Sequence, residues 1–313
     1  MIGCLAHRSG IGYNSVKSSG GGSRNPLVPE AGAYAGDYRR RRGLNHSIRH
    51  TCRGGSHEKM DVRFDDLVVL VTGASTGIGA AAAKAFAASG ANVMVHYNTS
   101  AEAAQQVAEA ITAADGLATV IRADVTRPSE LETMVSAIID QFGRIDVLVN
   151  NAGGLILRNP VDTMPDETYD YIMNLNIRSI FHMCKLVVPI MKRQGRGNII
   201  NVSSLAARTG GGGGSVVYAT AKGAVVSFTR GLAKELAAHK IRVNALSPGL
   251  ILTPFHDRWT PPSMMEGLVK SVPMGRAGTA DECVGSILFL ASDTMSSYVT
   301  GQVLEVNGGM LMP

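Results

Sequence analysis

An apolar, β-branched run from Leu67 to Val71 leads without a break into Thr72-Gly73-Ala74-Ser75-Thr76-Gly77-Ile78-Gly79, and that into the alanine-rich stretch Ala80 to Ala88. The order is strand, glycine turn, helix, and few folds accommodate it. Gly73 permits a tight turn, Gly77 lets backbone approach a pyrophosphate, and Gly79 lets the helix pack close to the sheet. Free backbone N–H groups and the helix dipole then face an anion. A glycine turn that only packs tightly would look the same in isolation, so the surrounding pattern decides.

Strand-like and helix-like stretches go on alternating: Val93–Val95, Glu102–Ala113, Thr119–Ile121, Leu131–Phe142, Val147–Val149, Asn198–Ser203 and finally Val303–Val306. This predicts an α/β fold, a doubly wound parallel sheet, over residues 60–313. The composition agrees: 45% of residues are hydrophobic but only 5% aromatic, which suits helices packed closely on a sheet better than a β-sandwich. In such a sheet ligands bind beyond the carboxyl ends of the strands, where Gly73, Asp124, Asn150, Ser204 and Pro248 all fall.

Residues 1–59 read differently. They hold ten Lys/Arg against three Asp/Glu and include Gly20-Gly21-Gly22 and the run Arg39 to Arg42. Lacking periodicity, they are expected to form a disordered basic extension. An extension without a role and an Arg-rich targeting or anion-binding arm both fit this composition. The segment carries +7 of a chain whose net charge is +5, leaving −2 for residues 60–313. No basic–aromatic interleaving there offers a nucleic-acid surface, and no apolar run approaches the roughly 20 residues a membrane span needs. Cys4, Cys52, Cys184 and Cys283 show neither a C-x-x-C pair nor metal-ligand spacing. No metal is expected, and a reducing, cytoplasmic compartment is.

Tyr218-Ala219-Thr220-Ala221-Lys222 puts a phenol and an ammonium one turn apart on the same helix face. A fixed cation favours phenolate, so Lys222 is expected to pull the Tyr218 pKa from about 10 toward the working range of a general acid/base. Ser204, at the end of the strand Asn198–Ser203, is placed to hydrogen-bond the same substrate oxygen.

Taken in order, Thr72-Gly73-x-x-x-Gly77-Ile78-Gly79, Asp124-Val125, Asn150-Asn151-Ala152-Gly153, Asn176, Ser204, Tyr218-x-x-x-Lys222, Pro248-Gly249, Thr253, and Gly301 with Asn307-Gly308-Gly309 resemble the motif series of the short-chain dehydrogenase/reductase family over residues 64–313. The resemblance implies a single Rossmann-type domain and NAD(P)-dependent hydride transfer between the nicotinamide and a carbonyl or secondary alcohol. It implies that Tyr218 exchanges a proton with the substrate oxygen, Ser204 polarises that oxygen, Lys222 holds the nicotinamide ribose and Asn176 anchors a proton-relay water. A helix-kink role is the alternative for Asn176. Asp124 would receive the adenine amino group, Asn150 and Gly153 would flank the adenosine ribose, and Thr253 with the Ile251 backbone would fix the carboxamide. Further cofactor contacts are implied at Ser75, Thr76 and Ile78, at Tyr97 and Asn98, and at Val125, Ala152, Pro248 and Gly249.

Two departures bear on function. Thirteen residues separate Ser204 from Tyr218, one more than is usual in the family, so Ser203 also fits the spacing; the strand end favours Ser204. The intervening Gly210 to Gly214 either closes over a substrate or serves as a passive connector. The second strand ends in His96-Tyr97-Asn98-Thr99-Ser100, without the acid that selects NAD. NADP is therefore expected, with NAD as the alternative, although Thr76 stands where NADP-preferring relatives often carry a basic residue.

The general pattern resembles 3-oxoacyl-carrier-protein reductases. Asn150 to Gly154 with Arg158, Thr209, Thr253-Pro254-Phe255-His256 and Pro273-Met274-Gly275-Arg276 resemble instead reductases of sugar-derived or uronate-derived α-keto acids. Arg158 would pair a substrate carboxylate and His256 its hydroxyls, unless both are ordinary surface or lid residues. A lid is expected at about 254–275 by the same resemblance, with Met264 and Met265 touching substrate or merely packing. A homotetramer is expected, with a dimer as alternative. A fold-retaining, non-catalytic nucleotide sensor is the competing function class, against which the intact Ser204, Tyr218 and Lys222 speak.

Overall fold

The computed structural model describes residues 62–312; the expected basic extension, 1–59, lies outside them. In chain order the strands are β1 (Val68–Val71), β2 (Asn92–Tyr97), β3 (Leu117–Arg122), β4 (Val147–Asn150), β5 (Gly197–Val202), β6 (Ile241–Pro248), β7 (Ile251–Leu252), β8 (Gly278–Thr279) and β9 (Val303–Val306). The helices are α1 (Gly77–Ala88), α2 (Ala101–Thr112), α3 (Pro128–Phe142), α4 (Asp166–Met173), α5 (Ser179–Gln194), α6 (Ala206–Thr209), α7 (Val216–Leu236), α8 (Pro254–Trp259), α9 (Pro262–Lys270), α10 (Ala280–Ala291) and α11 (Asp293–Ser296). Seven strands make one parallel sheet in the order β3-β2-β1-β4-β5-β6-β9, while β7 and β8 pair separately.

The alternation of side chains along the strands builds two cores. Val69 and Val71 of β1 face a cluster with Ala82, Ala83 and Phe86 of α1, Val107 of α2 and Ile287 of α10. Val68 and Leu70 face the opposite cluster, with Leu131 of α3, Val187 of α5 and Val225 of α7. Both faces of the strand are apolar because both are covered, which is why Leu67 to Val71 reads as a continuous apolar run. Winding proceeds outward from β1 to β3 and then resumes on the other side at β4. A crevice therefore opens beyond the carboxyl ends of β1 and β4.

Arg242 of β6 closes the far end of α10. Its buried guanidinium donates to the carbonyls of Leu290 at 2.8 Å, Ala291 at 3.2 Å and Ser292 at 3.2 Å, and to Ser296 Oγ at 3.0 Å. These carbonyls are the ones a helix terminus leaves unpaired. Arg242→Leu is expected to lower unfolding free energy by about 2 kcal/mol, read as a lower denaturant midpoint at unchanged slope. Among the described residues no helix is long and apolar enough to cross a membrane.

Candidate active site

The glycine turn after β1 is tight for identifiable reasons. A Cβ at Gly79 would fall onto the Gly73 carbonyl oxygen and lie 2.5 Å from Asn151 Nδ2, so the first turn of α1 folds directly over the turn before it. Asn151 supplies the tie: its Nδ2 donates to the carbonyls of Thr72 at 2.9 Å and Gly73 at 3.0 Å. Thr76 precedes α1 without a side-chain cap, and no acid stands in the first turn. The N–H groups of that terminus are thus left for an anion such as a dinucleotide pyrophosphate, a fit the residues present satisfy. Thr253 lies against the same turn, its Cγ2 3.2 Å from where a Gly77 Cβ would stand.

His96, which the sequence reading passed over, braces this turn. The Gly73 N–H donates to His96 Nδ1 at 2.9 Å, and His96 Nε2 lies 3.0 Å from the Ala123 carbonyl. Since Nδ1 accepts, the ring is neutral and Nε2 carries the proton. Burial pushes its pKa down to about 4. A His near the end of an otherwise apolar strand was the one available signal.

Tyr218 and Lys222 lie on α7, both buried. Lys222 Nζ donates to the Val202 carbonyl at 2.9 Å and sits 5.8 Å from the centre of the Tyr218 ring. The pKa expectation is corrected here. Burial pushes the Tyr218 phenol up to about 12, the neighbouring Ser204 hydroxyl acting in the opposite sense, and burial pushes Lys222 down to about 8. Loss of water sets the shift, and the ammonium, itself desolvated and turned to the Val202 carbonyl, does not lower it. The phenol is accordingly held protonated, ready to give a proton to a carbonyl oxygen.

Of the two serines, Ser203 is buried and donates to the Lys222 carbonyl at 2.9 Å. Ser204 accepts from the Ala206 N–H at 3.1 Å and is the serine beside the phenol. Asn176 sits in a π-helical turn, Asn174–Arg178, joining α4 to α5. Its amide donates to Gly154 O at 2.8 Å and Ile172 O at 3.0 Å and accepts from the Gly154 N–H at 3.1 Å. Its side chain therefore holds the helix irregularity and the 153–154 loop. Asn150 is likewise turned inward, its amide donating to Asn201 Oδ1 at 2.9 Å. Any ribose contact at that position is left to backbone. Asp124 keeps its carboxylate at the end of β3, where Oδ1 accepts from Thr126 N at 2.9 Å and Thr126 Oγ1 at 2.7 Å.

The chain is similar to known proteins. A family described as enoyl-(acyl carrier protein) reductase matches residues 73–311. A 3-oxoacyl-[acyl-carrier-protein] reductase of Synechocystis is 40% identical over 249 residues, which is 78% of this chain and 97% of the relative. The chain belongs to the short-chain dehydrogenase/reductase family. It is an oxidoreductase acting on CH–OH donors or the corresponding carbonyls, with a nicotinamide cofactor. Solved structures of family members superimpose closely. A 7α-hydroxysteroid dehydrogenase complexed with NADH and 7-oxoglycochenodeoxycholic acid has a TM-score of 0.75 at 35% identity, covering 80% of this chain and 96% of the other. A structure described as an NAD(P)-dependent gluconate 5-dehydrogenase from Beutenbergia cavernae, with bound NADP, has a TM-score of 0.74 at 32% identity, covering 80% and 98%.

In this dehydrogenase/reductase the segment 254–270 is two helices: α8 packs at Tyr218 and α9 packs with Leu250, Val272 and Ala277. Phe255 stands with its ring centre 5.9 Å from that of Tyr218 and 4.8 Å from that of Trp259. The Trp259 indole lies on Gly154, where a Cβ would come within 2.7 Å of it. Arg158 ties three pieces together: Nε donates to the Trp259 carbonyl at 2.9 Å and a terminal nitrogen to the Gly213 carbonyl at 3.3 Å. The glycine run is further anchored by Asn159 N–H donating to Gly214 O at 2.8 Å. Met265 packs with Leu250, Val272 and Ala277, which favours its packing reading. Trp259, which completes the aromatic wall over Gly154, had no signature of its own in the sequence.

Proposed function

We propose that this enzyme reduces the carbonyl of a small polar oxo acid, of the sugar-derived or α-keto acid kind, and prefers NADP to NAD. The observation that carries the substrate class is Arg158. It has no carboxylate partner among the described residues, its bonds run to backbone carbonyls, and its charge helps lower the His256 pKa, after burial. An unneutralised guanidinium beside an imidazole, bonded to the carbonyl of the Trp259 that packs in the Tyr218 cluster, suits a substrate carboxylate and its hydroxyls. His256 Nδ1 is engaged with Thr260 Oγ1 at 2.9 Å, which leaves Nε2 for the substrate.

When bound, the nicotinamide supplies hydride to the carbonyl carbon. Tyr218 gives its phenolic proton to the carbonyl oxygen, and Ser204 donates a hydrogen bond to the same oxygen as negative charge grows there. Lys222 steadies the nicotinamide ribose, and the Asn176 carbonyl holds a water through which the phenol regains its proton. Phe255 and Trp259 keep bulk water from the reacting carbon. Asp124 receives the adenine, while Ile251 and Thr253 fix the carboxamide. The enzyme assembles as a homotetramer in a reducing cytoplasm; the edge strand β9, half-buried along its length, and the buried free thiols Cys184 and Cys283 support this.

A second reading, reduction of a 3-oxoacyl thioester, is favoured by the Synechocystis relative's name and by the apolar wall of Leu155, Ile156, Phe255 and Trp259 around Tyr218. Initial rates with a panel of keto sugars, uronate-derived keto acids and acetoacetyl thioesters separate the two. For the oxo-acid reading, Arg158→Leu should raise KM about 10- to 100-fold, the cost of a charged hydrogen-bonded pair, with little change in kcat. Thioester turnover untouched by Arg158→Leu would establish the second reading instead.

A further inference from the structure

The adenosine ribose of a dinucleotide lies at the end of the second strand of this fold, where an acid meets a 2′-hydroxyl or an arginine meets a 2′-phosphate. No acid ends β2, and neither Thr76 nor residues 97–100 supply a cation. The pairing register supplies one from the adjacent strand. Tyr97, the last residue of β2, pairs with Arg122, the last residue of β3. Arg122 Nε donates to the Asn98 carbonyl at 3.4 Å, so the guanidinium stands beside the first residue after β2. The side chains of Asn98, Thr99 and Ser100 make no hydrogen bond among the described residues, and Ser100 leaves the start of α2 without a side-chain cap.

Arg122 is not committed elsewhere. Among the described residues its one ion pair, with Glu130 at 3.4 Å, is between solvent-exposed and partly exposed groups, and such pairs contribute only about 0–1 kcal/mol. Glu130 also has Arg127 at 3.6 Å and the Asp124 N–H at 2.8 Å. It keeps partners when Arg122 turns to a ligand. Asp124 is in turn faced by Arg127 at 3.7 Å, so its charge is matched locally.

We infer that Arg122, reaching across from β3, is the cation that holds the 2′-phosphate of NADP, with Asn98, Thr99 and Ser100 adding neutral hydrogen bonds. This rests on the NADP preference proposed above. A planar guanidinium presents paired donors that match two phosphate oxygens, which lysine does not.

The test is nucleotide binding to the full-length protein, followed by fluorescence, with NADPH and NADH as titrants and 2′-AMP and 5′-AMP as competitors. Arg122→Ala should weaken NADPH and 2′-AMP at least tenfold while NADH and 5′-AMP change less than twofold; Arg122→Lys should fall between. Parallel loss for all four ligands, or no loss for any, would overturn the assignment, with melting curves of both variants reporting intact folding. A wild-type protein that binds NADH as tightly as NADPH would overturn it too, leaving the oxidoreductase standing. Failure of the wild type to bind either dinucleotide would instead remove the cofactor reading on which it rests.

Discussion

Tyr218→Phe should lower turnover by about 10²–10⁴-fold, the range expected when a positioned proton donor is removed, while the nucleotide dissociation constant changes by no more than a few-fold. The phenol is buried and held protonated, with a pKa pushed up to about 12, so at neutral pH the hydroxyl carries the proton that the proposed mechanism gives to a nascent alkoxide. Phenylalanine keeps the ring against Phe255, whose centre is 5.9 Å away, and removes the hydroxyl that carries the proton and meets Ser204. Single-turnover kinetics beside nucleotide titration separates the two effects. A wild-type protein that binds nucleotide yet turns over no carbonyl of the panel would mark a sensor that keeps the fold without the chemistry, and a Tyr218→Phe protein with undiminished rate would remove Tyr218 from the mechanism.

His96 should make the fold acid-sensitive. Its pKa in the native protein is about 4, against an ordinary value of 6.5. Between those values the unfolded chain takes up a proton that the native state refuses. The contribution is therefore fully present above pH 6.5 and is lost as pH falls toward 4. At 1.36 kcal/mol per pH unit the loss amounts to about 3 kcal/mol over that window. His96→Asn retains an oxygen that can accept the Gly73 N–H but does not titrate. Urea unfolding of the two proteins at pH 7, 5.5 and 4 should show the gap between them changing in favour of the variant as the medium is acidified. An identical slope in both would mean that His96 protonates freely in the native state. Because His96 holds Gly73, the same titration should loosen the pyrophosphate turn.

Much of the site was legible in the chain because it is encoded at short range. Thr72 to Gly79 specifies its turn through the space that only glycine leaves at Gly79, and Tyr218 and Lys222 share a helix face through their spacing. Ser204 follows the end of β5, as expected from the apolar run before it. Other assignments identified the position but not the direction of the side chain. Asn150 and Asn176 occupy the places the motif series gave them, yet both amides are turned into the protein, toward Asn201 and toward Gly154 and Ile172. The sign of the Tyr218 shift was misjudged for the same reason, since proximity of a cation can be counted along a helix and depth of burial cannot.

Arg122 and His96 show what lies beyond such counting. Arg122 stands 24 residues from Asn98, and only the parallel register of β2 with β3 puts them side by side. His96 meets Gly73 and Ala123 through two different strand neighbours. Trp259 reaches Gly154 and Arg158 only when α8 folds back over the sheet's edge. By itself the sequence determined the order of strands and helices, the glycine turn and the Tyr–Lys pair, because each is set by backbone geometry within one or two turns of chain. Only the tertiary structure decided which side chains face the crevice, which are buried deeply enough to change their protonation, and which cation serves the second strand, because those depend on contacts among segments that packing alone brings together.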